Sequence, residues 1–163
     1  MKLCLAEAIK RVKALNEKIG SLISEESSKC ETVYRNESEK ISYDYDFATM
    51  RHDINELSDE IMKIKKAINK ANNETLIGIN NWTISDGLVK MSLIRTELQY
   101  HLKTMCTKEP KTSKVDIRND SVIYTELLYD PKECEAYVEA QNELLAKIQL
   151  GIDRANLNTF IEI

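Results

Sequence analysis

Glycine and proline are scarce in this chain, whose 163 residues include 4 Gly and 2 Pro. No Gly-rich phosphate-binding loop and no GxSxG nucleophile motif is present, so the sequence shows neither of these loop signatures of catalysis. Gly and Pro also interrupt helices. Their scarcity, with 31% charged and 42% hydrophobic residues, therefore favours long amphipathic helices over disorder.

The chain also lacks a long apolar run. No stretch approaches the ~20 consecutive apolar residues that span a bilayer. The N-terminus begins like a signal peptide, but Glu7, Lys10 and Arg11 interrupt its apolar part. We therefore expect a cytoplasmic protein without stable membrane insertion.

The cysteine spacing does not predict a metal site. Cys4, Cys30, Cys106 and Cys134 are widely separated, with no CxxC pair and no His close by. Structural zinc sites need closely spaced ligands, so a zinc interpretation is weak. For a cytoplasmic chain that is long enough to build a hydrophobic core, reduced and partly buried thiols are expected.

Positive charge is not concentrated in any part of the chain. The 23 Lys and Arg residues are interspersed with 27 Asp and Glu residues, and the formal net charge is −4. Binding to a phosphate backbone depends on clustered Lys and Arg. The sequence therefore argues against a nucleic acid as the partner.

Hydrophobic periodicity predicts four long helices, at about 5–23, 47–71, 84–106 and 131–155. The second helix has the most regular pattern, with apolar residues every three or four positions: Phe47, Met50, Ile54, Leu57, Ile61, Ile64, Ile68 and Ala71. A helix of about 25 residues is roughly 37 Å long. Such a seam packs best against another helix of similar length.

Two strand-like inserts are predicted between the helices, at about 30–45 and 115–128. The fourth helix has a clear start, because Asp130 is a favourable N-cap and Pro131 is tolerated at the first helical position. These features predict one mainly α domain over residues 1–163. We expect an antiparallel long-helix bundle or coiled-coil hairpins, with one or two short β-hairpin inserts.

Two pairs of His and Glu lie four residues apart on predicted helices, His52 with Glu56 and Glu97 with His101. Such pairs can bind a metal across one helical turn. Di-iron bundles, however, use a Glu-x-x-His spacing of three residues on two helices, which is not present here. We interpret both pairs as solvated ion pairs along a helix.

Acidic residues on the second and fourth helices form another candidate site. They are Glu56, Asp59, Glu60, Glu135, Glu139 and Glu143. Helical nucleotide pyrophosphatases hold magnesium with such carboxylates. These acids lie off the apolar seams, where solvated faces are expected. We therefore predict no catalytic, cofactor-binding or metal-binding residue.

Several short motifs resemble the septicolysin-like family of small, mostly uncharacterised bacterial proteins. The motifs are Leu5-Ala6-Glu7-Ala8-Ile9 with Arg11, Leu15, Lys18, Ile19 and Leu22 after it, Ile68-Asn69-Lys70-Ala71-Asn72, residues 83–94, residues 118–125, the fourth helix, and Asn156-Leu157-Asn158-Thr159. The family label implies a pore-forming cytolysin. The resemblance supplies no catalytic residues.

The function expected from the sequence is that of a non-enzymatic helical protein that self-associates into a homo-oligomer. No small-molecule ligand is indicated. Two alternatives stay open. One is a pore-forming or membrane-active protein of the cytolysin type, and the other is a metal-dependent nucleotide pyrophosphatase that uses the acidic helix faces.

Overall fold

A computed structural model describes residues 1–163, apart from the side chain of Tyr100. Helices make up 65% of the chain, so the expectation of a mainly α fold is confirmed. The strands form two small two-stranded antiparallel sheets. In chain order the elements are β1 (Lys2–Cys4), α1 (Leu5–Lys29), a 3-10 helix (Glu37–Glu39), α2 (Phe47–Glu74), α3 (Ile84–Glu97), a π-helical turn (Leu98–Leu102), α4 (Lys103–Cys106), β2 (Lys111–Asp116), β3 (Ser121–Glu126), α5 (Pro131–Asn158) and β4 (Phe160–Glu162).

The chain divides into two compact units. The first contains Met1–Thr75 and Ala155–Ile163, and the second contains Leu76–Arg154. The single domain expected from the sequence stays a prediction.

In the first unit, the two ends of the chain pair as antiparallel strands. Leu3 of β1 lies opposite Ile161 of β4, and the ammonium group of Met1 donates to the carbonyl of Ile163 at 2.8 Å. The Leu5 amide also donates to the Thr159 carbonyl at 3.0 Å, so the sheet leads directly into α1. This pairing anchors both termini in the same unit.

Helices α1 and α2 pack against each other in the first unit. The Arg11 guanidinium donates to Oε1 of Glu60 at 2.8 Å from Nε and 2.5 Å from Nη2. Further along α1, Glu26 pairs with Arg51. The later residue of α1 therefore meets the earlier residue of α2, which makes the two helices antiparallel.

In the second unit, local side-chain caps define where α3 and α5 begin. Oγ1 of Thr83 accepts from the Asp86 amide at 3.2 Å, and Oδ2 of Asp86 accepts from the Thr83 amide at 2.9 Å. At α5, Oδ1 of Asp130 accepts from the Lys132 amide at 2.9 Å. The predicted helix start at Pro131 is confirmed, because these caps satisfy amides that have no partner inside the helix.

Close packing of α3 on α5 centres on Ile77. A Cβ added to Gly87 in α3 would lie 2.9 Å from Cδ1 of Ile77 and 3.2 Å from Cγ2 of Ile148 in α5. A methyl group at this position would have to displace the end of the Ile77 side chain. Ile77, Ile84, Met91, Ile94, Ile148 and Ile152 are all buried in this unit.

The second predicted insert is a β-hairpin, as expected. Strands β2 and β3 pair from Lys111 with Glu126 to Asp116 with Ser121. The loop is stabilised by Oδ1 of Asp116, which accepts from the Arg118 amide at 3.1 Å, and Asp120 takes a left-handed conformation with φ of 45°. The hairpin starts at residue 111 rather than 115, so the predicted boundary was late.

The first predicted insert is wrong: residues 30–45 form no strand. Their one regular element is the 3-10 helix Glu37–Glu39, and Val33 is 93% exposed. Hairpins of this kind depend on a turn residue that adopts a left-handed conformation. Here Asn36 has φ of −131°, which is extended. β-propensity without a suitable turn did not suffice to pair the two halves of this segment.

The predicted third helix is not α-helical throughout, although residues 84–106 are helical without a gap. The expected span of 84–106 consists of α3, the π-helical turn Leu98–Leu102 and α4. The other three helices extend past their predicted ends, to Lys29, Glu74 and Asn158. The spacing of apolar residues predicted where these helices lie, but it did not predict their last turns.

Candidate functional site

The apolar seam between α1 and α2 is only partly covered. Near the paired termini, Leu5, Ala8, Ile61 and Ile64 are buried. Further along both helices, the seam side chains are half-buried. We call these residues the seam surface: Val12, Leu15, Ile19, Leu22, Met50, Ile54 and Leu57. Since two helices cover each other on one side only, these side chains keep apolar area in contact with water.

A groove opens along the seam surface. Its volume is about 320 Å³. Leu22 and Leu57 form its apolar part, and Lys18, Asp53 and Glu56 supply charges of both signs. The groove therefore combines apolar area with charges of both signs.

A polar cluster lies beside this seam, near the C-terminal end of α1 and the N-terminal end of α2. The Glu26 carboxylate pairs with Arg51 and accepts from the Tyr45 hydroxyl at 2.8 Å. The Arg51 guanidinium also lies over the Phe47 ring, 5.5 Å from its centre. The hydrogen bond to Glu26, followed by partial desolvation, raises the pKa of Tyr45 above its usual value. Sequence reasoning missed this cluster, because Glu26 lies in α1 and Tyr45 lies outside it, in the segment before α2.

In the second unit, the β2–β3 hairpin exposes apolar side chains on both of its faces. Val122 is 48% exposed and its neighbour Ile123 is 53% exposed, and adjacent strand residues point to opposite faces. Leu128, just beyond β3, is 100% exposed. A two-stranded hairpin is marginally stable by itself. Its exposed apolar residues therefore mark a second candidate contact surface.

Helix α3 adds apolar residues to the exposed surface of this unit. Val89 and Leu93 are exposed, and their four-residue spacing places them on one face of the helix. The opposite face contains the buried Met91 and Ile94. A helix that is apolar on both faces is typical of burial on both sides.

The two His–Glu pairs that were considered as metal ligands differ in the structure. His52 Nε2 lies 3.4 Å from Oε1 of Glu56, and both side chains are largely exposed. Glu97 instead accepts from the Tyr137 hydroxyl at 3.3 Å. Among the described side chains, no ion pair joins Glu97 to His101, and no group of three or more His, Cys, Asp and Glu is placed to hold a metal ion.

The acidic candidates are divided between the two units. Glu56, Asp59 and Glu60 lie in the first unit, while Glu135, Glu139 and Glu143 lie in the second. Several have basic partners: Glu60 pairs with Arg11, and Oε2 of Glu143 lies 3.7 Å from Nζ of Lys147.

Two of the four cysteines come together in the second unit. Sγ of Cys106 lies 3.0 Å from Sγ of Cys134, although 28 positions separate them in the sequence. Cys4 is buried and Cys30 is exposed, and all four are free thiols. Sequence spacing held no signal for this pair, since the contact depends on how α4 meets α5.

None of the helices in the described part of the chain is both long enough and apolar enough to cross a membrane.

Comparison with known proteins identifies a shared fold without a function. No family model and no curated protein matches the chain. Among solved structures, it is similar to a functionally unknown conserved protein from Corynebacterium diphtheriae, with a TM-score of 0.69 and 15% sequence identity. The match covers 99% of this chain and 100% of that one. At this identity, the similarity concerns the fold alone.

Proposed function

We propose that this chain is a non-enzymatic helical protein that self-associates through the seam surface. In this proposal, the seam surface of one copy packs on the same surface of a second copy. The result is an antiparallel four-helix arrangement of two α1–α2 pairs. The observation that supports it is the half-buried state of all seven seam-surface side chains.

The energetics favour covering this surface. Complete burial of a Leu, Ile, Val or Met side chain contributes about 1.5–3 kcal/mol relative to full exposure. The seven side chains are only half-buried, because the contact between α1 and α2 covers one side of the seam. Packing against a second copy would bury their remaining apolar area, and the contributions of the seven residues would add together.

Charge on the seam is compatible with pairing between identical copies. A two-fold contact places the same patch of each copy against the other. Lys18 and the carboxylates of Asp53 and Glu56 line the same groove, so each copy presents both signs. Opposite charges can therefore meet at the rim, which selects the register of the pair.

The proposal is tested by measuring molar mass with light scattering behind a sizing column. Wild-type protein is examined at two concentrations, with and without a chelator. Leu57→Glu places a charge in the seam surface, and we expect it to lower the molar mass to that of one chain. Met62→Glu is the matched control on the same helix, because Met62 is 50% exposed and lies off the seam.

A single-chain mass for wild-type protein at both concentrations would refute the proposal. An unchanged mass for Leu57→Glu would refute the role of the seam. Circular dichroism checks that each variant keeps its helix content. If Leu57→Glu loses helix, the milder Ile54→Ser provides the same test with a smaller perturbation.

A membrane-active function is the second candidate, and the exposed apolar hairpin is the observation that favours it. Val115, Tyr124 and Leu128 are each at least two-thirds exposed. Leakage of dye from anionic vesicles at micromolar protein would support this function. If Tyr124→Ser abolishes leakage and keeps the oligomer, the two surfaces have separate roles. Absence of leakage would refute this function.

The bundle or coiled-coil geometry, the cytoplasmic location and the relation to septicolysin-like proteins belong to the same proposal. All three are based on sequence patterns. The light-scattering experiment tests the bundle geometry, because a four-helix contact between α1–α2 pairs requires two copies.

A further inference from the structure

The Cys106–Cys134 pair stands out because its two thiols belong to different helices. Cys106 is the last residue of α4, and Cys134 lies in the first turn of α5. Their sulfur atoms are 3.0 Å apart, compared with about 2.05 Å in a disulfide. The two sulfur atoms would therefore have to approach each other by about 1 Å to form a disulfide bond.

The surroundings hold both thiols in place. Cys134 is buried, and its Sγ lies 3.7 Å from the Leu102 carbonyl in the π-helical turn. The Tyr129 hydroxyl donates to the Met105 carbonyl at 2.9 Å, which connects the segment before α5 to α4. Breaks in regular helical bonding often occur at functional sites, and here the π-helical turn faces a thiol.

A cavity gives small reagents a route to this pair. Its volume is about 470 Å³, and Cys106 lies in its wall with Lys103, Val138 and Glu139. Cys106 is half-buried whereas Cys134 is buried. An incoming reagent therefore meets Cys106 first, and Cys134 is placed to react second.

We propose that Cys106 and Cys134, held together at the junction of α4 and α5, are an oxidisable dithiol that closes to an intramolecular disulfide. The oxidant is a small-molecule disulfide of the glutathione class. The Cys106 thiolate attacks one sulfur of that disulfide, breaks its S–S bond and releases one thiolate, which takes up a proton. The Cys134 thiolate then attacks Sγ of Cys106 and releases the second small thiol. Two protein thiols and one disulfide thus give one protein disulfide and two small thiols.

The protonation state sets the rate of this reaction. The hydrogen bond with Cys134, followed by partial burial and the charge of Glu135, raises the pKa of Cys106 to about 11. The thiolate is the nucleophile, so Cys106 is mostly an unreactive thiol at neutral pH. The thiolate fraction rises tenfold per pH unit below the pKa, so we expect oxidation to be roughly 30-fold faster at pH 9 than at pH 7.5.

Closing the bond would restrain the part of the chain that contains the β2–β3 hairpin. The two cysteines are 28 positions apart, and the hairpin lies between them. Crosslinking a loop of this length reduces the entropy of the unfolded chain. We expect the oxidised protein to melt roughly 5–10 °C higher than the reduced protein.

The test treats fully reduced protein with oxidised glutathione and counts remaining thiols by alkylation and mass spectrometry. We expect wild-type protein to give one crosslinked peptide that contains Cys106 and Cys134, independently of any glutathione bound to the exposed Cys30. On a denaturing gel without reductant it should migrate as a single chain. Cys30→Ser is the control, and it should oxidise as wild type does, because Cys30 is exposed and outside the pair.

The variants Cys106→Ser and Cys134→Ser should form no crosslinked peptide. Cys106→Ala provides the same test if a buried hydroxyl destabilises either of them. Retention of both thiols after treatment at pH 9 would overturn the proposal. A crosslink through Cys30 between two chains, with Cys106 and Cys134 still alkylated, would overturn it as well.

Discussion

Gly151 of α5 approaches the backbone of Ile77 so closely that a Cβ at position 151 would lie 2.7 Å from the Ile77 carbonyl oxygen. The same Cβ would lie 3.2 Å from Cβ of Ile77. Carbonyl oxygen is part of the backbone, so it cannot rotate away as the end of a side chain can. This contact makes glycine necessary at a helical position where glycine is otherwise unfavourable.

The first prediction concerns this contact. Gly151→Ala should lower the free energy of unfolding by about 1–3 kcal/mol, because the added methyl group overpacks a backbone contact. Chemical denaturation followed by circular dichroism measures the change. Gly20→Ala is the control in α1, where a Cβ meets nothing within 4 Å. That variant should gain up to about 1 kcal/mol from helix propensity. A stabilising effect of both substitutions would contradict the steric argument.

The second prediction concerns the start of α3. Thr83→Ala removes the hydroxyl that accepts from the Asp86 amide, and it should lower the free energy of unfolding by about 1 kcal/mol. Thermal melting measures the loss. Thr96→Ala is the control in the same helix, because the Thr96 hydroxyl donates to the Ser92 carbonyl and caps no amide. An equal loss from the two variants would show that the cap is not the cause.

The third prediction concerns acid stability. Hydrogen bonds from the Thr83 and Thr49 amides hold the pKa values of Asp86 and Asp46 below their usual value of 3.8. A lowered pKa in the folded state stabilises the protein above the unfolded value, and that contribution is lost as the pH falls through the folded pKa.

We therefore expect stability to decrease as the pH is lowered from about 5 to below 3.8. Denaturation midpoints over this range measure the decrease. The double variant Asp46→Asn with Asp86→Asn should show a shallower decrease. The same slope in wild type and double variant would contradict the assignment to these two caps.

The fourth prediction concerns Tyr45. Its hydrogen bond to Glu26 raises its pKa above the usual 10.0. Glu26→Gln removes the charge that favours the neutral phenol, so the pKa of Tyr45 should fall toward 10.0. Ultraviolet absorbance of tyrosinate, compared with that of Tyr45→Phe, isolates this titration.

A raised folded pKa stabilises the protein below the unfolded value, and the contribution is lost as the pH rises through the folded pKa. Wild-type stability should therefore decrease above about pH 10, and Glu26→Gln should lose less over that range. Glu25→Gln is the control for the Tyr45 titration, because Glu25 pairs with Lys29 instead. A Tyr45 titration that is the same in wild type and Glu26→Gln would contradict the assigned cause.

The sequence by itself determined where the four predicted helices begin. Recurrence of apolar residues every three or four positions is a local property, and so are the Asp130 cap and Pro131 at the start of α5. Boundaries that depend on such neighbours were predicted within a few residues. The hairpin at β2–β3 was predicted for a similar reason, since its turn is stabilised within the loop by Asp116.

Tertiary structure decided the features that involve residues far apart in the chain. The pairing of β1 with β4 joins the two termini, and the Cys106–Cys134 contact joins α4 to α5. No pattern within one segment signals either contact. Strand propensity in residues 30–45 did not produce a hairpin, and Tyr45 instead bonds Glu26. Long-range contacts arise from how whole elements pack, so one sequence reveals the faces available for packing but not which of them meet.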